Sequence, residues 1–85
     1  MTKNKSKIVV ERNDYLLGIE VYSILKNNLC TLEQITKKIY GNTASKNVVR
    51  VYQCTMVLLK HGLVLPVVRN GALYFKFNEK TENEL

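Results

Sequence analysis

TLEQITKKIYGNTASKNVVRVYQCTMVLLKHG, residues 31–62, followed by LVLPVVRNGALYFKF, residues 63–77, is the stretch that decides the fold. Thr31 and Gln34 stand at the capping-box spacing, in which each side chain bonds the other residue's backbone N–H. The helix they open puts Leu32, Ile35, Thr36 and Ile39 on one face and Glu33, Gln34, Lys37 and Lys38 outward, and it stops after Tyr40 at Gly41. Gly41-Asn42-Thr43-Ala44 reads as a turn, and Ser45 as the cap of a further helix over 46–61 that ends at Gly62. On the helical wheel Val48, Val51, Tyr52, Thr55, Met56 and Leu59 gather on the inward side. Lys46, Asn47, Arg50, Gln53, Cys54 and Val57 then look outward, with Arg50 near the centre of that face. Beyond Gly62 the period changes. Leu63 to Val68 and Ala72 to Phe77 are apolar and β-branched or aromatic, and Asn70-Gly71 lies between them. Such a dipeptide predicts a hairpin, because a type I′ turn needs positive φ at both central residues. Leu73, Phe75 and Phe77 share one face of it and Ala72, Tyr74 and Lys76 the other, while Pro66 marks an edge-facing position.

Working outward, residues 14–28 predict a helix that Asn13 or Asp14 caps. Its apolar positions cover well over half the circumference and leave Glu20, Ser23 and Asn27 as a narrow polar stripe. Leu17, Val21, Ile24 and Leu25 centre on one side. Tyr15, Ile19 and Tyr22 lie round the edge and form the expected interface of a homodimer. Ile8-Val9-Val10 is either a short strand or the run-in to this helix. Residues 1–7 are a basic tail, 8–78 the single domain and 79–85 an acidic tail. The five tyrosines, Tyr15, Tyr22, Tyr40, Tyr52 and Tyr74, are interspersed with apolar positions, which suggests core roles.

The order helix, helix, turn, helix, hairpin is that of an α+β winged helix-turn-helix: three helices plus a C-terminal two-stranded β-hairpin wing. Charge then suggests the function. Thirteen Lys and Arg against seven Asp and Glu give +6, with an isoelectric point near 9.5. No acid occurs between Glu33 and Glu79, a stretch that holds Lys37, Lys38, Lys46, Arg50, Lys60, Arg69 and Lys76. A basic surface of this kind suits a polyanion. Sequence-specific binding of double-stranded DNA, as a transcriptional regulator, is therefore the expected function. The third helix would enter the major groove with Ser45, Lys46, Asn47, Arg50 and Gln53, since Arg reads guanine and Asn or Gln reads adenine. Arg69 and Asn70 at the wing would reach the adjacent minor groove or its backbone, and Lys37 and Lys38 would meet phosphates. The alternatives are a winged helix that docks a protein, or a weakly specific architectural DNA binder.

Other classes are excluded or disfavoured. At 85 residues the chain makes one small domain. No apolar run reaches the ~18 residues of a membrane span, and the first residues lack the apolar stretch of a secretory signal, so a cytoplasmic protein is expected, in the host cell if the gene is viral. His61 is the single histidine, and Cys30 and Cys54 lie 24 apart, so a zinc site lacks ligands. Both cysteines are expected reduced, with a bridge only in a hyperthermophile. No paired carboxylates, glycine-rich phosphate loop or Ser-His-Asp set can be assembled, so neither an enzyme, nor a cofactor, nor a small-molecule ligand is expected.

Leu32-Glu-Gln-Ile-Thr-Lys-Lys-Ile-Tyr-Gly41, Val48-Val49 with Tyr52, and Leu58-Leu59-Lys60-His61-Gly62-Leu63 before a strand that ends at Tyr74 resemble small archaeal winged-helix proteins. Over about residues 14–77 the chain is similar to the basic DNA-binding proteins of Sulfolobus and to winged-helix regulators of archaeal viruses and plasmids. The Sulfolobus proteins dimerise through a long C-terminal helix. A chain ending at Leu85 is expected to lack it and to dimerise elsewhere, as a minimal regulator rather than a chromatin protein.

Overall fold

A computed structural model describes residues 14–80. Three helices, α1 (Asp14–Asn27), α2 (Leu32–Tyr40) and α3 (Ser45–Lys60), precede an antiparallel hairpin of β1 (Val64–Arg69) and β2 (Ala72–Phe77). This is an α+β layout that matches a winged helix. The expected tails, Asn13 as a cap and Ile8-Val9-Val10 fall outside the described residues.

Local chemistry sets most of the boundaries. Thr31 Oγ1 accepts from the Gln34 N–H at 3.1 Å and Gln34 Oε1 accepts from the Thr31 N–H at 3.0 Å, completing the capping box. At the other end of α2 the Gly41 N–H donates to the Lys37 carbonyl at 2.8 Å. At the end of α3, Gly62 lies at φ 75°. Its N–H donates to Leu59 and the Leu63 N–H reaches back to Leu58, the paired bonds of a Schellman motif. A side chain at that φ would be strained, so Gly62 is what lets the chain leave α3 and enter β1 within two residues. Asn70 and Gly71, at φ 50° and 79°, make the expected tight turn.

The turn before α3 differs from expectation. Ser45 does not cap the helix; it is the first helical residue, and Ala44 stands at the cap with no side-chain bond. Asn42 organises the turn instead. Its Oδ1 accepts from the Ala44 N–H at 2.9 Å and from Asn47 Nδ2 at 3.1 Å. An Asn that bonds the backbone two residues on closes the turn by itself and leaves no N-cap position for the serine.

The core gathers one stripe from each helix and one face of the hairpin: Leu17, Val21 and Leu25 from α1, Ile35 from α2, Val51, Cys54 and Leu58 from α3, and Val64 and Phe75 from the strands. Thr36 and Thr55 are fully buried, and each hydroxyl donates to the carbonyl one turn back, Leu32 and Val51, at 2.7 Å. Their polar atoms are thereby satisfied inside the helix. Cys30 and Cys54 are buried free thiols.

One pairing was not visible in the sequence. Cys30, between α1 and α2, forms an antiparallel bridge with Phe75. The Cys30 N–H donates to the Phe75 carbonyl at 3.2 Å and the Phe75 N–H to the Cys30 carbonyl at 2.7 Å. Both polar backbone groups of Phe75 thus point away from β1. Its cross-strand partner there is Pro66, so the missing proline N–H removes no ladder bond. Asn78 closes the far end of β2: its N–H donates to Leu63 and its side chain to Gly62, both at 2.9 Å.

Phe75 and Val68 lie on the same face of the hairpin, yet Phe75 is 1% exposed and Val68 71%. Phe75→Ala should therefore destabilise by ~3–5 kcal/mol, and Val68→Ala by less than ~0.5 kcal/mol. Urea unfolding of the two variants measures the contrast.

Candidate nucleic-acid interface

The third helix faces outward differently from the wheel expectation. Val51, Cys54, Thr55 and Leu58 are its buried residues. The inward face is therefore rotated by roughly 80° from the expected one, at 100° per residue. The cause lies in the composition of α3, which carries apolar side chains all round: Val48, Val49, Val51, Tyr52, Met56, Val57, Leu58 and Leu59. Periodicity then defines a broad arc without a centre. The packing of α1, α2 and β1 against α3 sets the centre, which falls on Val51, Cys54, Thr55 and Leu58.

The rotation re-sorts the expected site. Lys46 and Gln53 are exposed and share the outward face, with Lys60 further along it. Val49, absent from the expected set, stands between Lys46 and Gln53 on that face and is 51% exposed. A signal for it existed in the adjacent pair Val48-Val49, since two consecutive residues on a helix cannot both face the core. Arg50 is half-buried at the edge of the face and not at its centre. Asn47 is half-buried, and its side-chain amide is bonded to Asn42, which removes it from the outward set. Cys54 is buried, a correction to its expected outward position. Ser45 is exposed in the first turn of α3, a turn without an acidic residue. The positive end of the helix dipole is thus left uncompensated by any carboxylate of its own first turn.

The other expected contacts sit on separate elements. Arg69 and Asn70 are exposed at the hairpin tip. Lys37 and Lys38 are exposed in the last turn of α2. They line an open groove with Asn28, Cys30, Glu33 and Gln34, to which neither α3 nor the hairpin contributes. The structure therefore joins Lys46, Val49 and Gln53 on one face, and brings Lys37 and Lys38 together with the α1–α2 connection. Burial pushes the Cys30 thiol up from its ordinary pKa, with the positive charge of Lys38 acting in the opposite direction. Cys30 is 2% exposed and belongs to the core.

Of the residues expected at a dimer interface, Tyr15 is 76% and Ile19 47% exposed. Tyr22 is only half exposed, because its ring packs against Phe77 with centroids 6.2 Å apart. The general expectation that the tyrosines are core holds for none of them fully, and fails outright for Tyr15 and Tyr52, both exposed.

Among the described residues no group of three or more His, Cys, Asp or Glu side chains could hold a metal ion, and no helix is long and apolar enough to cross a membrane. No protein-family model, curated protein or solved structure matches the chain.

Proposed function

We propose that the protein binds double-stranded DNA with sequence preference and acts in the cytoplasm as a small transcriptional regulator. The observation that carries this is the arrangement of one acid-free stretch. Residues 34–78 contain no Asp or Glu, and they fold into α2 beyond its first turn, a short turn, α3 and the wing. The outward face of α3 near its N-terminus bears Lys46, Val49 and Gln53, with Arg50 beside them. Gln can pair with adenine, Arg with guanine, and a valine methyl can meet the methyl group of thymine. An α3 first turn free of carboxylates suits a phosphate at its N–H groups.

The wing supplies the second contact. Arg69 at the tip of the hairpin reaches the backbone or minor groove beside the major groove that α3 occupies. Lys37 and Lys38 meet phosphates, since the first helix of a helix-turn-helix crosses the backbone. In the same reading the protein is no enzyme and needs no cofactor, and the resemblance to small archaeal winged-helix proteins is one of architecture and role. A second reading has its own support. Val49, Tyr52 and Val57 are exposed apolar residues on α3, a composition that also suits a protein partner. An architectural, weakly specific DNA binder is the variant without base readout.

Selection of bound duplexes from a random pool separates these readings. A sharp motif supports the regulator, retention without a motif the architectural protein, and no retention the protein-docking module. On the selected site Gln53→Ala should lose ~1–3 kcal/mol and relax the preference at one position, as measured by fluorescence anisotropy against single-base variants of the site. An equal loss on every sequence would assign Gln53 to the backbone.

Arg69→Ala and Lys37→Ala should each weaken binding to all sequences alike. Each should lower the slope of log K against log salt by about one, because each removes one neutralised phosphate. A slope that does not change would take that residue out of the interface.

A further inference from the structure

Between them, α1 and the C-terminal half of α3 form an apolar groove of about 350 Å³ that Leu63 also lines. Tyr15, Gly18, Ile19 and Tyr22 of α1 and Val57 of α3 line it. A Cβ built on Gly18 would meet no atom within 4 Å. The groove is therefore open at the glycine itself. Beside it stand two projections, Tyr15 at 76% exposed and Ile19 at 47%, and Val57 across the groove is 55% exposed.

We propose that this patch is the interface of a symmetric dimer, with a second copy of the chain as its occupant. Three features select that occupant. The patch is self-complementary: α1 carries exposed side chains that would fill a cleft, Tyr15 and Ile19, beside the cleft that it forms with α3. A two-fold contact requires that combination, because each copy presents the same surface. In an antiparallel α1–α1 pair, Tyr15 of each copy seats over Gly18 of the other.

Spacing is the second feature. Tyr15, Ile19 and Tyr22 recur at steps of four and three along α1, the alternation by which one helix packs lengthwise against another. Charge is the third. Each copy carries +6, so two copies repel unless they meet where cations are absent, and every residue lining this groove is uncharged. The apolar patch is on the order of 300–400 Å² per copy, given one large aromatic and several half-exposed aliphatic side chains. With a polar rim on both sides the contact reaches the ~1,000 Å² at which a specific interface begins, the low end of the range.

The patch lies mostly on α1, whereas the proposed DNA face lies on α3 and the wing; the two adjoin where Val57 stands one turn beyond Gln53. Dimerisation is measured without DNA, so it and the functional reading can each fail alone.

Sedimentation equilibrium of the full chain, free of DNA, at concentrations to about 100 µM tests the proposal. The expected result is a species of twice the 9.8 kDa chain mass. Gly18→Leu should return it to a single chain, because the added side chain fills the cleft. The same change replaces a helix-interior glycine with a better helix former, so the variant should keep its circular dichroism spectrum and not lose thermal stability as a monomer. Ile19→Glu should also give the single-chain mass. A wild-type mass of one chain throughout the range would overturn the proposal. So would a dimer unaffected by both substitutions, which would place the contact elsewhere. If instead the chain's own Ile8-Val9-Val10 fills the groove, wild type stays at the single-chain mass and Gly18→Leu lowers the melting temperature, which also overturns it.

Discussion

The two hydrogen bonds between Cys30 and Phe75 hold the rest of the structure in place. They join residues 45 positions apart, between the first two helices on one side and in the last strand on the other. A two-stranded hairpin alone is marginal in water. This one gains a third paired residue on the outer edge of β2 and sends Phe75 into the common core. The wing is thereby attached to the α1–α2 junction as well as to the end of α3. Its tip, with Arg69 and Asn70, extends from a base fixed at both edges. Pro66 fits the same constraint, since Phe75 has already turned its N–H and C=O toward Cys30.

That attachment shapes what remains available for binding. With α1, α2 and the hairpin all packed on the Val51, Cys54 and Leu58 side of α3, the opposite side of α3 is left bare over most of its length. Lys46 and Gln53 belong to that exposed side. A basic stretch with no carboxylate follows the same elements. The side-chain amides of Asn42, before α3, and Asn78, after β2, bond the backbone at Ala44 and Gly62. The apolar patch at Tyr15, Gly18 and Ile19 lies on α1 and has no charged side chain among its lining residues.

Features that depend on residues a few positions apart were legible in the sequence. The capping box of Thr31 and Gln34, the stop at Gly41, and the turn at Asn70-Gly71 each need only one to three neighbours, and their backbone angles follow from the residue types. The turn before α3 was legible in composition but not in assignment. Asn42 and Ser45 are both able to bond a free N–H, and which one acts depends on how far the chain has turned by Ala44. The bridge at Cys30 was not legible, because one paired residue has no period and its partner is distant. The outward face of α3 was legible only in part. A helix with valine, leucine, methionine or tyrosine on every side does not specify its inward centre until its neighbours are known. For that reason Val49 was missed, Arg50 was placed too centrally, and Asn47 was assigned to a face that its bond to Asn42 excludes.

The central claim is that the bare face of α3 and the wing tip together meet a DNA duplex. Titration of the isotope-labelled protein with a short duplex, followed amide by amide by NMR, tests it most directly. Binding through these elements should place the largest shifts on Ser45 to Gln53 and on Arg69 to Gly71, with smaller ones on Lys37 and Lys38, and high salt should abolish them. Shifts confined to α1 and the Leu63 end of α3, or no shifts with any duplex at low salt, would contradict it.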